Sequence, residues 1–223
     1  MNRLYLVRHG ENPANLTKEF SYKLVDYPLT PKGVLQTQQT AEYFAHKNIH
    51  EIYTSPLLRA QQTAEIIGTR LKRKVVILEN FREINVGRLE GQPPTAEIWA
   101  CHNQILADWL DGKPETTFPG GEDYFTLWNR MRAGFEQVVQ HKNNQNIIIV
   151  GHGGIFTCTL KDLCPTVETT RLLGQNYHNC AISEIRVNFE HGQLQGQLIA
   201  WATYAHLHGS AANLVSGILN QDE

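Results

Sequence analysis

Two short runs of apolar residues mark the chain at residues 3–7 (RLYLV) and 146–150 (NIIIV). Neither run alternates between apolar and polar positions, and each leads into a turn that contains glycine. Continuous apolar runs of this length are typical of strands that are covered on both faces in a parallel sheet. We therefore predict two central strands, one at the start of the chain and one about two thirds along it.

The segments between and after these runs alternate between helical and strand-like patterns. Thr30 followed by Pro31 is a typical helix start, because proline fits the first helical position. Helices are predicted at 30–46, 55–71, 94–110 and 121–141, strands at 51–54 and 74–78, and an antiparallel hairpin at 181–189 and 193–201. Strands that alternate with helices predict an α/β fold, namely a three-layer αβα sandwich with a mostly parallel central sheet.

The sequence contains no internal repeat, no low-complexity segment and no long Pro/Gly/Ser linker. We therefore predict a single α/β domain over residues 1–208, with a lid-like insertion around 92–125. Residues 209–223 are expected to form a tail that is either a surface helix or disordered. Substrate specificity is expected to lie in the insertion and in the loop at 16–27.

The charge composition argues against two classes of protein, nucleic-acid binders and membrane-surface binders. Both need a basic face, whereas the 223 residues carry 20 basic and 22 acidic side chains, a net charge of -2. The four cysteines form no C-x-x-C pair, and no apolar run approaches a signal peptide or a membrane span. We expect a cytoplasmic protein with reduced thiols; the pattern specifies no oligomeric state.

Histidines follow both predicted central strands. Arg8-His9-Gly10 comes directly after the first strand and Gly151-His152-Gly153-Gly154 after the second. In open α/β sheets, functional groups gather beyond the carboxyl ends of the strands. Arginine matches the oxygens of phosphate or carboxylate, and a nearby cation keeps an imidazole neutral and nucleophilic. These residues indicate an anion pocket and are suited to phosphoryl transfer through a phosphohistidine. We also expect the glycine after His9 to bring backbone amides close to the ligand.

Six segments in chain order carry a resemblance to a known family. They are VRHGENPAN (7–15), PLTPKG (28–33) with Asp26 before it, SPLLRAQQTAEII (55–67), REINVGRLEG (82–91), PGGED (119–123) and VGHGG (150–154). Together they resemble the motifs of the histidine phosphatase superfamily, the phosphoglycerate-mutase-like clan. The resemblance covers roughly residues 3–190 and implies a phosphoglycerate-mutase-like fold.

The resemblance implies a role for each matching residue. His9 would be the nucleophile, and Glu83 the acid that protonates the leaving oxygen and then the base that activates water. Phosphate-binding groups would be Arg8, Arg59, His152, Asn15 and the backbone of Gly153. No metal ion and no cofactor is implied. Asn15 could instead cap a helix, and we expect Glu122 to begin the helix after PGG rather than to touch substrate. The aromatics Trp99, Trp109, Phe125 and Trp128 are expected in the core.

The clan contains both phosphatases and mutases. The segment REINVGRLEG lacks the R-H-Y-G stretch that mutases of the clan carry after the acid glutamate, which favours a phosphatase. We predict a phosphomonoesterase that hydrolyses a small phosphorylated metabolite. The alternatives are phosphoglycerate mutase activity and a non-catalytic phospho-ligand binding protein; a serine esterase is disfavoured because no G-x-S-x-G elbow occurs. Candidate contacts to the rest of the substrate are Thr17, Lys18, Ser21, Tyr22, His102 and Lys113.

Overall fold

A computed structural model of the chain describes residues 1–168 and 176–215. Its strands are β1 (Asn2–Arg8), β2 (Glu51–Thr54), β3 (Val75–Ile77), β4 (Asn146–Gly151), β5 (Ile182–Glu190) and β6 (Gln193–Thr203). Its α-helices are α1 (Pro13–Thr17), α2 (Pro31–Phe44), α3 (Leu58–Leu71), α4 (Ala96–Leu110), α5 (Tyr124–Val139) and α6 (Gly153–Leu163).

The six strands form one sheet in the order β3-β2-β4-β1-β5-β6. The first four are mutually parallel, while β5 and β6 are antiparallel additions at one side. β1 and β4 lie side by side at the centre, with Leu4 opposite Ile147 and Arg8 opposite Gly151. The carboxyl ends of the two central strands therefore meet at one edge of the sheet.

Both faces of the central strands are covered, which explains their continuous apolar runs. Leu4 and Leu6 of β1 belong to the core that α4, α5 and α6 complete, whereas Tyr5 and Val7 face the core beneath α2 and α3. The predicted αβα sandwich with a mostly parallel central sheet is confirmed. None of the four cysteines, all within the described ranges, forms a disulfide. Among the described helices, none has the length and apolarity to cross a bilayer.

The first residues of helices α2, α3 and α5 depend on the hydrogen bonds of the side chains at their N-termini. Thr30 caps α2 as predicted, since its Oγ1 accepts from the Gly33 amide at 3.0 Å. α3 begins at Leu58 rather than at 55, because the Ser55 side chain is engaged with His152. The expectation that Glu122 begins a helix is wrong: Asp123 is the N-cap of α5, and its Oδ1 accepts from the Thr126 amide at 2.8 Å.

Helices α1 and α6 were not predicted from the pattern. α1 has only five residues, too few for helical periodicity to show. α6 opens with Gly153 and Gly154, two residues of poor helix propensity, and packing of its apolar face stabilises it instead.

The described part of the predicted tail packs against α2. Residues Gly209–Ala212 form a 3-10 turn in which Ala211 is buried, and its carbonyl accepts from Gln36 Nε2 at 3.2 Å. Lys32 Nζ donates to the Asn213 carbonyl at 3.0 Å. Residues 216–223 lie outside the described residues, so the prediction for them stays a prediction.

Candidate active site

The ends of β1 and β4 hold the two histidines of the sequence motifs. The His9 amide donates to the Gly151 carbonyl at 3.0 Å, which fixes the two strand ends to each other. The ring centroids of His9 and His152 are 5.2 Å apart. Both rings are buried, and Arg59 from the first turn of α3 lies against both. The fold thus brings together three groups that are far apart in the sequence.

Hydrogen bonds assign the tautomer of His9. Its Nδ1 lies 2.7 Å from the Gly10 carbonyl oxygen, which can only accept, so Nδ1 carries the proton. Arg59 Nε donates to His9 Nε2 at 3.1 Å, so Nε2 presents its lone pair. Burial, with the charges of Arg59 and Arg8, holds the pKa of His9 well below its ordinary value. His9 is therefore a neutral imidazole with an unprotonated Nε2.

Arg59 is held by partners on several sides. Its Nη1 donates to Ser21 Oγ and its Nη2 to the Ser21 carbonyl, each at 2.8 Å. Asp26 lies 3.7 Å from Nη1, and its carboxylate also accepts from the Leu58 amide at 2.9 Å. Burial lowers the pKa of Arg59 to about 10, which leaves it charged at neutral pH. Ser21 and Asp26 thus place a fixed cation beside His9.

His152 is fully buried, and both ring nitrogens are engaged. Its Nδ1 lies 3.2 Å from Arg59 Nη2 and its Nε2 lies 2.7 Å from Ser55 Oγ. Because Arg59 can only donate, Nδ1 is an acceptor here and Nε2–H donates to Ser55. Burial and the charge of Arg59 lower the pKa of His152. In this arrangement His152 orients Arg59.

Arg8 Nε and both polar side-chain atoms of Asn12, the donor Nδ2 and the acceptor Oδ1, are buried at this end without a partner among the described residues. Arg8 also donates through Nη1 to the Tyr177 carbonyl. Such buried orphan donors are rare, and they suit an incoming anion. Asn12 was not among the predicted site residues, although it lies inside the first motif.

Asn15 makes the capping contact that was the alternative to phosphate binding, and its phosphate-binding role stays a prediction. Its Oδ1 accepts from the Asn12 amide at 3.1 Å, in the first turn of α1, and from Asn179 Nδ2 at 2.9 Å. Both bonds use the oxygen, so Nδ2 is the group that Asn15 can offer to a ligand. Asn179 also donates to the His9 carbonyl at 3.0 Å, and no sequence motif pointed to it.

The side chain of Glu83 contacts the N-terminus of α6. Its Oε1 accepts from the Ile84 amide at 3.0 Å and from the Ile155 amide at 3.1 Å. Gly154 permits this approach, because a Cβ there would lie 2.7 Å from Glu83 Oε1. The first turn of α6 therefore fixes the position of the Glu83 side chain.

An ion pair braces the chain segment on both sides of Glu83. Arg130 donates to the carbonyls of Asn80 at 2.8 Å, Arg82 at 2.7 Å and Glu83 at 3.1 Å. Its guanidinium also makes a bidentate pair with Glu122, at 3.0 and 2.8 Å. Glu122 Oε1 in turn accepts from the Asn85 amide at 2.8 Å. The PGGED segment thus holds the loop that carries Glu83.

The glycine after His9 has a packing role, contrary to the expectation from the sequence. The Gly10 amide donates to Thr63 Oγ1 at 3.0 Å, within α3, and not toward the cavity. A Cβ on Gly10 would lie 2.5 Å from the Gly33 carbonyl oxygen. Gly10 is therefore required by the close approach of α2.

A cavity of about 260 Å³ opens beside these groups. Six of the seven predicted site residues line it: Arg8, His9, Asn15, Arg59, Glu83 and Gly153. His152 lies behind Arg59. Of the candidate contacts to the rest of the substrate, the lining includes Lys18, Ser21 and His102. Lys113 instead pairs with Asp108 at 3.1 Å, Thr17 binds Glu19, and the Tyr22 amide donates to Glu90.

The predicted core aromatics divide into three groups. Trp99 and Trp109 are core residues that also form part of the cavity wall. Trp128 packs against the core while partly buried. Phe125 is 54% exposed, so its placement in the core was wrong: the first turn of α5 turns it toward solvent.

Comparison with known proteins assigns the family. A sequence profile described as histidine phosphatase superfamily (branch 1) matches residues 4–200. The chain belongs to the histidine phosphatase superfamily. The resemblance inferred from the six motifs is confirmed, and so is the phosphoglycerate-mutase-like fold, which the structural neighbours share.

Relatives within the histidine phosphatase superfamily carry both phosphatase and mutase names. The uncharacterized phosphatase PhoE of Bacillus subtilis is 32% identical over 187 residues, covering 82% of this chain and 90% of that protein. The probable phosphoglycerate mutase GpmB of Proteus mirabilis is 33% identical over 187 residues, covering 83% of this chain and 85% of that protein. A phosphoserine phosphatase from Entamoeba histolytica, solved with 3-phosphoglyceric acid, has 26% identity and a TM-score of 0.74 over 93% of this chain and 100% of that chain.

Proposed function

We propose that this protein is a phosphomonoesterase that acts on a small phosphorylated metabolite through a phosphohistidine on His9. The observation that carries the proposal is the state of His9: a buried, neutral imidazole whose Nε2 lone pair lies beside two arginines. This lone pair accepts from Arg59 Nε, so it becomes the nucleophile when Arg59 turns to a phosphoryl oxygen, and the arginines suit the charge of a phosphoryl group.

The first step forms a bond between His9 Nε2 and phosphorus while the bond from phosphorus to the ester oxygen breaks. Glu83 gives its proton to the departing alkoxide, which leaves as the alcohol. In the second step water attacks phosphorus and gives its proton to Glu83, and the P–N bond breaks. Inorganic phosphate leaves and His9 returns to its neutral form.

Arginine, amide and imidazole groups would hold the phosphoryl oxygens. Arg8 Nε and Asn12 Nδ2 are buried donors with no partner in the described part of the chain, and Arg59, Asn15 Nδ2 and the Gly153 backbone lie at the same end of the cavity. We propose that these donors supply the positive charge and hydrogen bonds of transfer, so that a metal ion is not needed.

Since His152 lies behind Arg59, we propose that it acts on the phosphoryl group in a second tautomer only after Arg59 Nη2 has turned from it to the phosphate. If Ser55 Oγ–H donates to Nε2, then Nδ1 carries the proton and donates to a phosphoryl oxygen. That exchange accompanies the turn of Arg59 Nη2 from His152 to the phosphate. The pair of Ser55 and His152 would then act with Arg59 as one unit.

The test is phosphate release from a panel of phosphomonoesters, including 4-nitrophenyl phosphate, phosphoserine and 3-phosphoglycerate. We expect phosphate release, and loss of it in the His9→Ala variant. A parallel assay follows conversion of 3-phosphoglycerate to its 2-isomer, because a relative of this chain is named a mutase. Isomerisation much faster than phosphate release would replace the phosphatase by a mutase. No turnover in either assay would leave a phospho-ligand binding protein.

A further inference from the structure

The cavity has an apolar chamber beyond its phosphate end. We use that name for the wall formed by Phe20, Ile84, Val86, Trp99, Leu106 and Trp109. These side chains come from the 16–27 loop, from the loop after Glu83 and from α4. A substrate whose phosphoryl group meets His9 would place its alcohol portion in this chamber.

The aromatic side chains around the chamber present carbon atoms to its interior, because their polar atoms form hydrogen bonds within the protein. Trp99 Nε1 donates to the Lys18 carbonyl at 3.1 Å, and Trp109 Nε1 donates to the Thr116 carbonyl at 2.6 Å. The hydroxyl of Tyr124, another cavity residue, donates to the Asp162 carboxylate. Since protein acceptors take these donors, the rings keep their apolar faces for a ligand.

The wall of the chamber contains no arginine, although Lys18 and Lys161 also line the cavity. Burial lowers the pKa of His102 to about 4, so this ring is neutral at neutral pH. Lys161 Nζ lies 5.1 Å from the centre of the Tyr124 ring, and the acidic Glu19 shares the lining with Lys18. The two arginines of the cavity stand at the phosphate end. A carboxylate in the chamber would therefore lose hydration without a dedicated fork-shaped partner.

The size of the cavity limits the alcohol portion that it can enclose. Its volume of about 260 Å³ is below the range of roughly 300–1,000 Å³ usual for small-molecule sites. It suits a compact monoester.

We propose that the natural substrate is a monoester of phosphate with an uncharged, apolar alcohol, aromatic or aliphatic, that fills the apolar chamber. The inference rests on the proposed function, because it assumes that the phosphoryl group lies at His9. It differs from the ligand named for the solved relative, 3-phosphoglyceric acid, which carries a carboxylate.

The experiment measures kcat/KM for n-alkyl phosphates from ethyl to hexyl. All have the same phosphate and nearly the same leaving-group basicity, so only apolar length varies. We expect kcat/KM to rise about three- to fivefold for each methylene group until the chamber is full. A hexyl chain that ends in a carboxylate should react at least about tenfold more slowly than hexyl phosphate.

A variant connects the trend to the chamber. Leu106→Gln should lower kcat/KM for hexyl phosphate about tenfold more than it lowers kcat/KM for ethyl phosphate, because the longer chain buries more apolar surface in the chamber. Ile199→Gln is the matched control, an exposed aliphatic position on β6 outside the cavity lining. A circular dichroism spectrum that matches the wild type shows that the variant folds.

The outcomes separate the two proposals. A flat alkyl series on the wild-type protein, or a preference for the carboxylate-ended chain, would overturn the apolar substrate class while phosphate release upholds the phosphatase. No release from any ester, including 4-nitrophenyl phosphate, would overturn the phosphatase itself. If Leu106→Gln does not fold, the wild-type series alone decides.

Discussion

At the scale of single residues, the reactivity of His9 is set by its neighbours. The Gly10 carbonyl fixes the proton on Nδ1, and Arg59 lies against the Nε2 lone pair. Burial and the charge of the same arginine lower the pKa of His9, so that it need not lose a proton before it attacks phosphorus. Replacing Arg59 would therefore change the reactivity of His9 without changing its ring.

Replacing His9 with alanine should abolish turnover, because it removes the atom proposed to carry the phosphoryl group. We expect less than about 1% of wild-type phosphate release. In the wild-type protein, a rapid quench should trap a phosphoryl label that survives alkali and is lost in acid. The control is His46→Ala, an exposed histidine at the end of α2. Substantial turnover in His9→Ala would mean that water attacks phosphorus directly.

Replacing Glu83 with glutamine should affect substrates according to their leaving groups. Glutamine keeps an acceptor for the Ile84 and Ile155 amides but cannot donate a carboxyl proton. We expect alkyl phosphates to slow by about a hundredfold or more and 4-nitrophenyl phosphate by less than about tenfold in the acid-dependent step. Glu79→Gln, at an exposed carboxylate in the same loop, is the control. An equal loss on both kinds of ester would make Glu83 a structural residue.

At the scale of elements, the active-site loop depends on a helix that does not itself bear a proposed catalytic group. Arg130 of α5 holds three carbonyls of the segment 80–83, and Glu122 holds the Asn85 amide just beyond it. An arginine fork satisfies several acceptors in fixed directions, which a lysine cannot reproduce. The position of Glu83 is thus determined by the packing of α5.

Arg130→Lys should therefore imitate part of the Glu83→Gln phenotype. We expect kcat for alkyl phosphates to fall at least about tenfold with little change in KM, and 4-nitrophenyl phosphate to be less affected. Arg132→Lys is the matched control, since Arg132 is on the same helix and pairs at the surface with Glu136 at 2.7 Å. Unfolding midpoints measured in parallel separate a loss of stability from a loss of positioning. A uniform loss on all esters would contradict the positioning role.

At the scale of the whole molecule, several histidines are neutral because the fold buries them. Burial lowers the pKa of His102 and of His206 to about 4, and it also lowers the pKa of His9 and His152. In the unfolded chain these groups titrate near 6.5. Below that pH the unfolded state binds more protons than the folded state, so acid favours unfolding.

The buried histidines should consequently leave the free energy of unfolding unchanged above pH 6.5. They should lower it as the pH drops from 6.5 toward 4. Each histidine contributes a slope of up to about 1.4 kcal/mol per pH unit, and less for the half-buried His206. Urea denaturation at several pH values measures the slope. His206→Gln, which keeps a polar partner for Thr40, should reduce it, whereas exposed His208→Gln should not. An unchanged slope in His206→Gln would show that His206 does not contribute to the pH dependence of the free energy of unfolding.

The sequence by itself determined the architecture and the set of candidate residues. The continuous apolar runs of β1 and β4 exist because both sheet faces are covered, so the αβα layering can be read from them. The motifs around His9, Arg59, Glu83 and His152 were visible because local chemistry fixes which residue types stand beside the strand ends. Capping by Thr30 was readable for the same reason, since it depends on neighbours in sequence.

Only the tertiary structure decided what depends on residues distant along the chain. The tautomer of His9, the place of His152 behind Arg59 and the brace on Glu83 each join segments that lie dozens of residues apart. The same holds for Asn12 and Asn179, whose roles follow from burial and not from residue type. The apolar chamber is likewise assembled from two loops and α4, because side chains with no shared periodicity meet there. Local pattern fixes which elements form, whereas packing fixes which of their atoms meet.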